Sequence, residues 1–255
     1  MLSQNFISIS FIVTFLIITS HSHANECETH STPFIKDKYN HMWCAKHETE
    51  KFDEYSWKHQ NTICSRSDIV EDPTASGRGH VYRGQIFCSS IESSIENHRI
   101  YPTLNLKECL YGPYKSSFMV WADIDDINDF GWISLATYTN KKNWQDLFGL
   151  NLVSDNGIVK LIIFHVPIFG KSKYEKVSDL GFPLKKWVHL ALDVDRDGIR
   201  VYQDGKLVIK ARKRWGNKGP AVCESHWGLY ADAKTNKVLI LNDDIFLISY
   251  GNPLP

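Results

Sequence analysis

Apolar and polar residues alternate in three short runs between Trp187 and Val208. The alternating apolar positions are Val188, Leu190, Leu192, Ile199, Val201, Leu207 and Val208. Two Asp-Gly pairs, at 197–198 and 204–205, separate the runs. Asp-Gly between alternating runs is a strong hairpin signal, because Gly adopts the positive φ that a tight turn requires. The pattern therefore predicts a three-stranded antiparallel meander.

The chain from residue 68 onward continues this strand-like pattern. Further strands are predicted at 80–88, 99–107, 116–123, 132–139, 146–153, 158–166, 225–230 and 237–249, with one short helix at 89–97. Many short strands separated by Gly, Pro and Asn turns are typical of a β-sandwich or jelly roll. We therefore expect an all-β domain over 68–255, preceded by a polar, cysteine-containing lead-in at 25–67.

The first 24 residues are predicted to be a secretory signal peptide. Residues 2–19 are apolar, and Ser22 and Ala24 place small residues three positions and one position before a cut after Ala24. The alternative is an N-terminal membrane anchor, since a run of roughly 18 apolar residues is long enough to span a bilayer. Cleavage predicts a secreted protein, extracellular or periplasmic, that has no membrane contact once the signal is removed.

Six cysteines follow the predicted cleavage site. They are Cys27, Cys44, Cys64, Cys88, Cys109 and Cys223. An even number of cysteines after a signal peptide predicts disulfides formed in an oxidising compartment. Many pairings are compatible with six cysteines, and they stay open at this point. Because five of the six precede residue 110, the front of the chain is expected to depend most on disulfides.

The charge balance excludes one class of partner. The chain has 29 basic and 29 acidic residues, which gives a formal net charge of zero. Proteins that bind nucleic acid or anionic membranes usually carry a marked basic excess on one surface. The composition therefore argues against both partners.

Several segments, in a consistent order, resemble secreted polysaccharide lyases of the alginate and glucuronan type. Residues 71–81, EDPTASGRGHV, resemble the DPTGSGRGKVL segment of that family, and 98–102 resemble the arginine-bearing strand that follows it. Later matches lie at 164–167, 182–188, 226–230 and 242–245. The resemblance covers the chain from about residue 68 to its end. It implies a concanavalin A-like β-jelly-roll sandwich of two antiparallel sheets that acts on polysaccharide.

The resemblance also implies a reaction, the β-elimination of an acidic, uronate-containing polysaccharide. This reaction needs a group that neutralises the carboxylate, a base that removes a proton, and an acid that protonates the leaving oxygen. Arg99 would bind the carboxylate, His165 would be the base, and Tyr101 or Tyr230 would be the acid. No cofactor is required.

Two positions depart from the family pattern. The family's glutamine two residues before the matching histidine is Ile163 here, and the first tyrosine of its Tyr-Phe-Lys-x-Gly-x-Tyr motif is Glu224. These departures favour a second hypothesis, a non-catalytic, lectin-like carbohydrate-binding protein on the same fold. A third hypothesis is a laminin-G-like adhesion module that recognises protein. The retained residues at 99, 165 and 230 favour the enzyme.

Four further residues are candidates for substrate binding. Alternation along a strand puts His226 on the same face as Tyr230, and Gln85 and Arg83 on a preceding strand would add hydrogen bonds. Trp144 lies in a polar loop and would stack on a pyranose ring. The structural alternative is strongest for His226, which stands beside a tryptophan and is equally compatible with a buried packing role.

The other tryptophans divide by their surroundings. Trp215 lies in a basic loop and is a second candidate for sugar contact. Trp121, Trp132 and Trp187 lie in strand patterns and are expected to be buried in the core.

Two acidic segments suggest calcium. The first has the spacing of an EF-hand loop and consists of Asp193, Asp195, Asp197, Gly198 and Asp204. Strands rather than helices flank it, so an Asp-Gly hairpin is the favoured interpretation. The second candidate for a structural calcium site is Asp244, beside Asp243 on the last strand.

Overall fold

The computed structural model of the protein describes residues 34–35, 41–45, 64–88, 97–101, 103–128, 130–167, 173–212, 215 and 218–251. The predicted signal peptide, most of the lead-in and the predicted helix at 89–97, apart from its last residue, lie outside these ranges. The regular structure of the described residues is entirely β. They contain no helix with the length and hydropathy needed to cross a membrane.

Sixteen strands form from the described residues. The first eight are β1 (Phe34–Ile35), β2 (His41–Ala45), β3 (Ser65–Glu71), β4 (His80–Ile86), β5 (Asn97–Ile100), β6 (Thr103–Tyr111), β7 (Tyr114–Ile124) and β8 (Ile133–Lys141). The others are β9 (Gln145–Asp155), β10 (Ile158–Val166), β11 (Lys173–Gly181), β12 (Val188–Asp195), β13 (Gly198–Gln203), β14 (Lys206–Ala211), β15 (Ala221–Asp232) and β16 (Val238–Ser249).

The strands pair into two antiparallel sheets. The nine-stranded sheet has the order β1-β2-β16-β7-β12-β13-β14, with β4 also on β16 and β3 on β4. The seven-stranded sheet has the order β11-β10-β9-β8-β15-β5, with β6 also on β15. The prediction of an all-β jelly-roll sandwich of two antiparallel sheets is confirmed.

The core lies between the two sheets and follows from the alternation of each strand. Phe118 and Val120 on β7, Leu190 on β12 and Leu150 on β9 are all 0% exposed. They belong to one continuous hydrophobic cluster. Full burial of a side chain of this size stabilises the fold by about 1.5–3 kcal/mol. One face of each sheet is therefore committed to the core, and only the other face is free for a binding site.

Part of the predicted lead-in belongs to this sandwich. β2 pairs with the second half of β16, and Trp43 on β2 is 2% exposed. The Trp43 ring stacks on Trp227 of the opposite sheet with 4.9 Å between ring centroids. The boundary expected at residue 68 falls inside β3.

The meander predicted between Trp187 and Val208 forms as β12, β13 and β14. Asp204 and Gly205 are the two central residues of the second turn, with φ of 48° and 78°, as a tight hairpin turn requires. In the first turn the central residues are Arg196 and Asp197, and Gly198 is the first residue of β13. Asp195 Oδ1 accepts hydrogen bonds from the two following backbone N–H groups, at 2.8 and 3.2 Å. This acidic segment is thus a hairpin, as favoured over the EF-hand interpretation.

Disulfides tie the fold at two described places. Cys64 is bonded to Cys88, and Cys109 on β6 is bonded to Cys223 on β15. Cys44 is also disulfide-bonded. No described cysteine is free. Such bonds are typical of an extracellular or otherwise oxidising environment.

Candidate functional site

A cleft of about 530 Å³ opens on the face of the seven-stranded sheet that points away from the core. On β9, Phe148 and Leu150 point into the core, while Gly149 and Asn151 point into the cleft. The residues that line the cleft are Arg99, Tyr101, Thr103, Asn105, Trp132, Ser134, Thr137, Trp144, Leu147, Gly149, Asn151, Phe164, Val166, His226 and Tyr230. The site is therefore assembled across the strands from segments that are distant in sequence.

One row of paired residues crosses four strands and is called the Arg99 row. Arg99 on β5 pairs with Tyr230 on β15, Tyr230 pairs with Ser134 on β8, and Ser134 pairs with Asn151 on β9. Three inter-strand spacings place the two ends of the row about 14 Å apart. The exposed Arg99 guanidinium lies 5.7 Å from the centre of the Tyr230 ring. The row thus has a cation at one end and a neutral amide at the other.

A second row runs beside the first. Its members, in strand order, are Thr103, His226, Thr137, Gly149 and Phe164. A Cβ atom at Gly149 would lie 2.9 Å from Asn151 Oδ1 and 3.4 Å from both Ser134 Oγ and Thr137 Oγ1. The absent side chain lets these three oxygen atoms approach the backbone of β9 closely, and we call this part of the cleft floor the Gly149 hollow.

His226 lies at the centre of an aromatic cluster. Its ring stacks on Tyr101 at 3.9 Å between centroids and lies 5.6 Å from Trp144 and 6.0 Å from Tyr230. The residue is 2% exposed, and this burial lowers the pKa of the imidazole to about 3. Nδ1 of this ring has no hydrogen-bond partner among the described residues. His226 is therefore a neutral, aromatic-packed polar group in the cleft.

Burial also acts on Tyr101. It raises the pKa of the phenol to about 12, and the neighbouring Tyr230 adds to the shift. The hydroxyl therefore keeps its proton at neutral pH and can act as a hydrogen-bond donor.

Trp144 is held in the cleft by Glu224. The two carboxylate oxygens accept hydrogen bonds from the backbone N–H groups of Asn143, at 3.2 Å, and Trp144, at 2.7 Å. Both donors have a positive φ, 60° and 55°, which non-glycine residues adopt rarely. Glu224 is 4% exposed, and the two charge-assisted bonds are part-buried. Glu224 therefore fixes the turn that carries Trp144.

The structure places five of the predicted site residues in this one cleft. They are Arg99, Tyr101, Trp144, His226 and Tyr230. The other four predicted residues, His165, Gln85, Arg83 and Asp244, are not among the residues that line it.

His165 lies on the opposite face of β10 from the cleft. Phe164 and Val166 line the cleft, and alternation turns the residue between them toward the core side. His165 Nε2 is hydrogen-bonded to Asp146 Oδ1 at 3.0 Å, and Asn140 donates to Asp146 Oδ2 at 3.1 Å. The expected grouping of His165 with Arg99 and Tyr230 around one cleft is therefore corrected.

Gln85 and Arg83 lie on β4, which belongs to the other sheet. Arg83 donates two hydrogen bonds to the Asp68 carboxylate, at 2.7 and 2.5 Å, and Gln85 accepts one from Arg66 at 3.0 Å. The sequence analysis expects Gln85 and Arg83 to share one site with Arg99. The structure corrects this expectation, because β4 pairs with β3 and β16 in the nine-stranded sheet.

Asp244 pairs with an arginine. Arg78 donates to Asp244 Oδ2 at 2.8 Å and to Asp243 Oδ2 at 3.1 Å. Among the described residues, no group of three or more His, Cys, Asp or Glu side chains could hold a metal ion. Calcium at Asp244 stays a prediction.

The tryptophans are distributed differently from the sequence expectation. Trp121, Trp132 and Trp187 are half-buried rather than buried, and Trp132 lines the cleft. Trp215 donates from Nε1 to the Asp195 carbonyl at 2.6 Å and packs against the core. Sequence reasoning thus missed Trp132 as a cleft residue.

The polar floor of the cleft was also missed. Ser134, Thr137 and Asn151 lie on core strands β8 and β9 and are each 5% exposed or less. A signal was present, because Gly149 inside an apolar strand often marks a close approach by a ligand or by another chain segment.

The fold defines a class, the jelly-roll sandwich proteins. No protein-family model matches the chain, and no curated protein matches its sequence. Solved structures do share the fold. One is "Cellulose induced protein, Cip1", with 10% identity over 77% of this chain and 92% of that chain and a TM-score of 0.55.

Two other solved structures have different titles. An alginate lyase of polysaccharide lyase family 7 has 12% identity over 74% of this chain and 85% of that chain, with a TM-score of 0.50. The binding domain of botulinum neurotoxin serotype D/C has 12% identity over 79% of this chain and 46% of that chain, with a TM-score of 0.51. Identities this low show a common fold.

Proposed function

We propose that the protein binds a polysaccharide in the cleft on its seven-stranded sheet, without cleaving it. The observation that carries this proposal is the combination of aromatic walls with a polar floor. Trp132, Trp144 and Tyr101 supply ring faces for stacking, and Asn151 and His226 supply buried polar atoms. Concave sites of this composition are typical of ligand-binding clefts. The fold shared with an alginate lyase supports carbohydrate as the ligand class.

The charge of the cleft favours an acidic chain. Among its described lining residues, Arg99 carries the only full charge at neutral pH, because burial lowers the pKa of His226 to about 3. The described lining residues include no carboxylate. A uronate or another anionic substituent would therefore meet a guanidinium and no like charge.

A glycoside hydrolase mechanism fits this lining poorly. Hydrolysis of a glycosidic bond ordinarily uses a pair of carboxyl groups that flank the bond. Glu224 is a buried acidic residue that accepts hydrogen bonds from the turn that carries Trp144.

A second candidate function is β-elimination of uronate polysaccharide. It is favoured by the presence of Arg99, Tyr101, His226 and Tyr230 in one cleft. The phenol of Tyr101, with a pKa of about 12, suits a proton donor. The base is weak, because an imidazole with a pKa of about 3 has little affinity for a proton. Binding therefore fits this chemistry better than cleavage.

We also propose that the protein is secreted after cleavage at residue 24. The disulfides Cys64–Cys88 and Cys109–Cys223 support a working environment that is oxidising.

Calorimetry on the mature, disulfide-bonded protein tests the proposal. The panel is alginate, glucuronan, hyaluronan and an uncharged glucan. At least one acidic polysaccharide is expected to bind, and Trp144→Ala should weaken that binding roughly tenfold through loss of stacking area. Gln85→Ala is the matched control, since Gln85 lies on the other sheet, and its affinity should equal that of the wild type.

The same samples separate binding from cleavage. A sustained rise in the absorbance of unsaturated uronate would overturn the binding-only proposal and establish the lyase. Absence of binding by every polysaccharide in the panel would overturn the proposal itself.

A further inference from the structure

The Gly149 hollow holds polar atoms with unused hydrogen-bonding capacity. Asn151 is 3% exposed, and its Oδ1 has no hydrogen-bond partner among the described residues. Ser134 Oγ and Thr137 Oγ1 lie 3.2 Å apart and complete the ring around the hollow. A buried polar atom without a partner is costly, so the unused acceptor suggests a ligand group that supplies the missing bond.

The chemistry of the hollow selects an uncharged partner. The three oxygen atoms belong to an amide and two hydroxyls, and the charged side chain of the cleft, Arg99, stands at the opposite end of the Arg99 row. A carboxylate placed here would lose its water without gaining a counter-charge, which is strongly unfavourable. A sugar hydroxyl or amide N–H can donate to Asn151 Oδ1, whereas Ser134 donates its own hydroxyl proton to the Ala136 carbonyl at 3.3 Å.

The spacing of the row sets the length of the ligand. Arg99 and Asn151 are separated by three strand spacings, about 14 Å. This backbone separation is wider than a single pyranose ring. The cation and the hollow therefore contact different sugar units of one chain that runs across the strands.

We propose that the cleft recognises a glycan in which an anionic sugar unit lies near an uncharged one, with the anionic unit at Arg99 and the uncharged unit at the Gly149 hollow. This inference rests on the proposed polysaccharide-binding function and names its ligand class. The chemistry describes copolymers of a uronic acid with a neutral or N-acetylated sugar, rather than a chain of uronic acid alone.

Size-matched oligosaccharides test this directly. The probes are hyaluronan oligosaccharides, which alternate glucuronate with N-acetylglucosamine, glucuronan oligosaccharides, which contain glucuronate alone, and uncharged chitin oligosaccharides. Calorimetry is expected to show hyaluronan fragments binding roughly tenfold more tightly than either of the others, since each lacks one matching contact. Glucuronic acid monosaccharide should show no measurable heat.

Variants at the two ends assign the contacts. Gly149→Ala places a methyl group in the hollow, and Asn151→Ala removes the acceptor. Each variant should weaken the binding of hyaluronan fragments roughly tenfold and leave the binding of glucuronan unchanged. Arg99→Gln should weaken the binding of both acidic ligands and leave the binding of chitin fragments unchanged. Melting temperatures within a few degrees of the wild type verify that the variants fold, and Gln85→Ala is the silent control.

The outcomes are distinguishable. If glucuronan binds as tightly as hyaluronan, and Gly149→Ala and Asn151→Ala change nothing while Trp144→Ala weakens binding, the inference is overturned and the proposed function stands. If none of the polysaccharides binds, both are overturned.

Discussion

The Glu224 carboxylate accepts a hydrogen bond from the Trp144 backbone N–H at 2.7 Å, so a buried residue on β15 sets the position of an aromatic wall of the cleft. The turn that carries Trp144 has two consecutive left-handed residues, and the same carboxylate satisfies both of their N–H groups. Glu224 is thus a positioning residue, which acts through the tryptophan.

Glu224→Ala should lower both stability and affinity. It removes two part-buried hydrogen bonds to a carboxylate, so the free energy of unfolding should fall by about 1–3 kcal/mol. Glycan affinity should fall together with it, because Trp144 is released. Glu224→Gln keeps one acceptor oxygen and should be intermediate in urea unfolding and in calorimetry. An alanine variant with unchanged affinity would show that the turn is held without Glu224.

Two buried groups, His226 and Asp243, should make the stability of the protein depend on pH in opposite directions. Burial lowers the pKa of His226 from 6.5 to about 3, so between these values the unfolded chain binds a proton that the folded chain does not. The contribution of His226 to the free energy of unfolding is therefore complete above pH 6.5 and decreases as the pH falls from 6.5 to about 3. Burial raises the pKa of Asp243 from 3.8 to about 7, with the neighbouring Asp244 as the second cause. Stability from this group is present below pH 3.8 and is lost as the pH rises to 7.

Single variants separate the two contributions. In the wild type the slopes oppose each other between pH 4 and 6.5, so the unfolding free energy should vary little there. Asp243→Asn should make stability rise with pH by about 1 kcal/mol per unit, and His226→Gln should make it fall by a similar amount. Urea unfolding at half-unit pH steps measures both slopes. Parallel profiles for the three proteins would show that neither group is buried in the way described.

The two described disulfides should differ in their contribution to stability. The Cys109–Cys223 bond closes a loop with a sequence separation of 114, against 24 for Cys64–Cys88. On the chain-entropy account the longer loop contributes about 1 kcal/mol more. Replacing each pair by serine and measuring unfolding by urea checks this difference. Loss of the Cys109–Cys223 bond should also weaken glycan binding, since β6 and β15 both line the cleft.

Trp43→Ala tests whether the lead-in is part of the domain. The residue is buried against Trp227 of the opposite sheet, so its truncation should destabilise the protein by about 3–5 kcal/mol. Trp121→Ala is a suitable comparison, because Trp121 is half-buried and should have a smaller effect. If the two variants melt at the same temperature as the wild type, the lead-in is not part of the core.

The sequence predicted what is local and missed what depends on distant pairing. The meander was predicted because alternation and Asp-Gly turns act over a few residues. His165 was assigned to the cleft by motif, but in β10 the cleft face belongs to Phe164 and Val166. A shift of one residue reverses the face of every side chain in a strand, and motif similarity does not determine that register. The cleft floor combines β8, β9 and β15, whose pairing joins positions up to 98 residues apart.

The strand β2 within the predicted lead-in was missed for the same reason. Its polar composition gives little strand signal, whereas β2 is held by a partner at the other end of the chain, at Ile245–Ser249.

That pairing has a practical consequence for anyone who shortens the chain. Along one side of β16, β2 covers the second half and β4 covers the first. A truncated protein that began at residue 68 would lack β2. It would expose the N–H and C=O groups of Ile245–Ser249 and the apolar surface that Trp43 covers. An exposed edge strand can pair with the same strand of another molecule. The shortened protein should therefore precipitate or form oligomers.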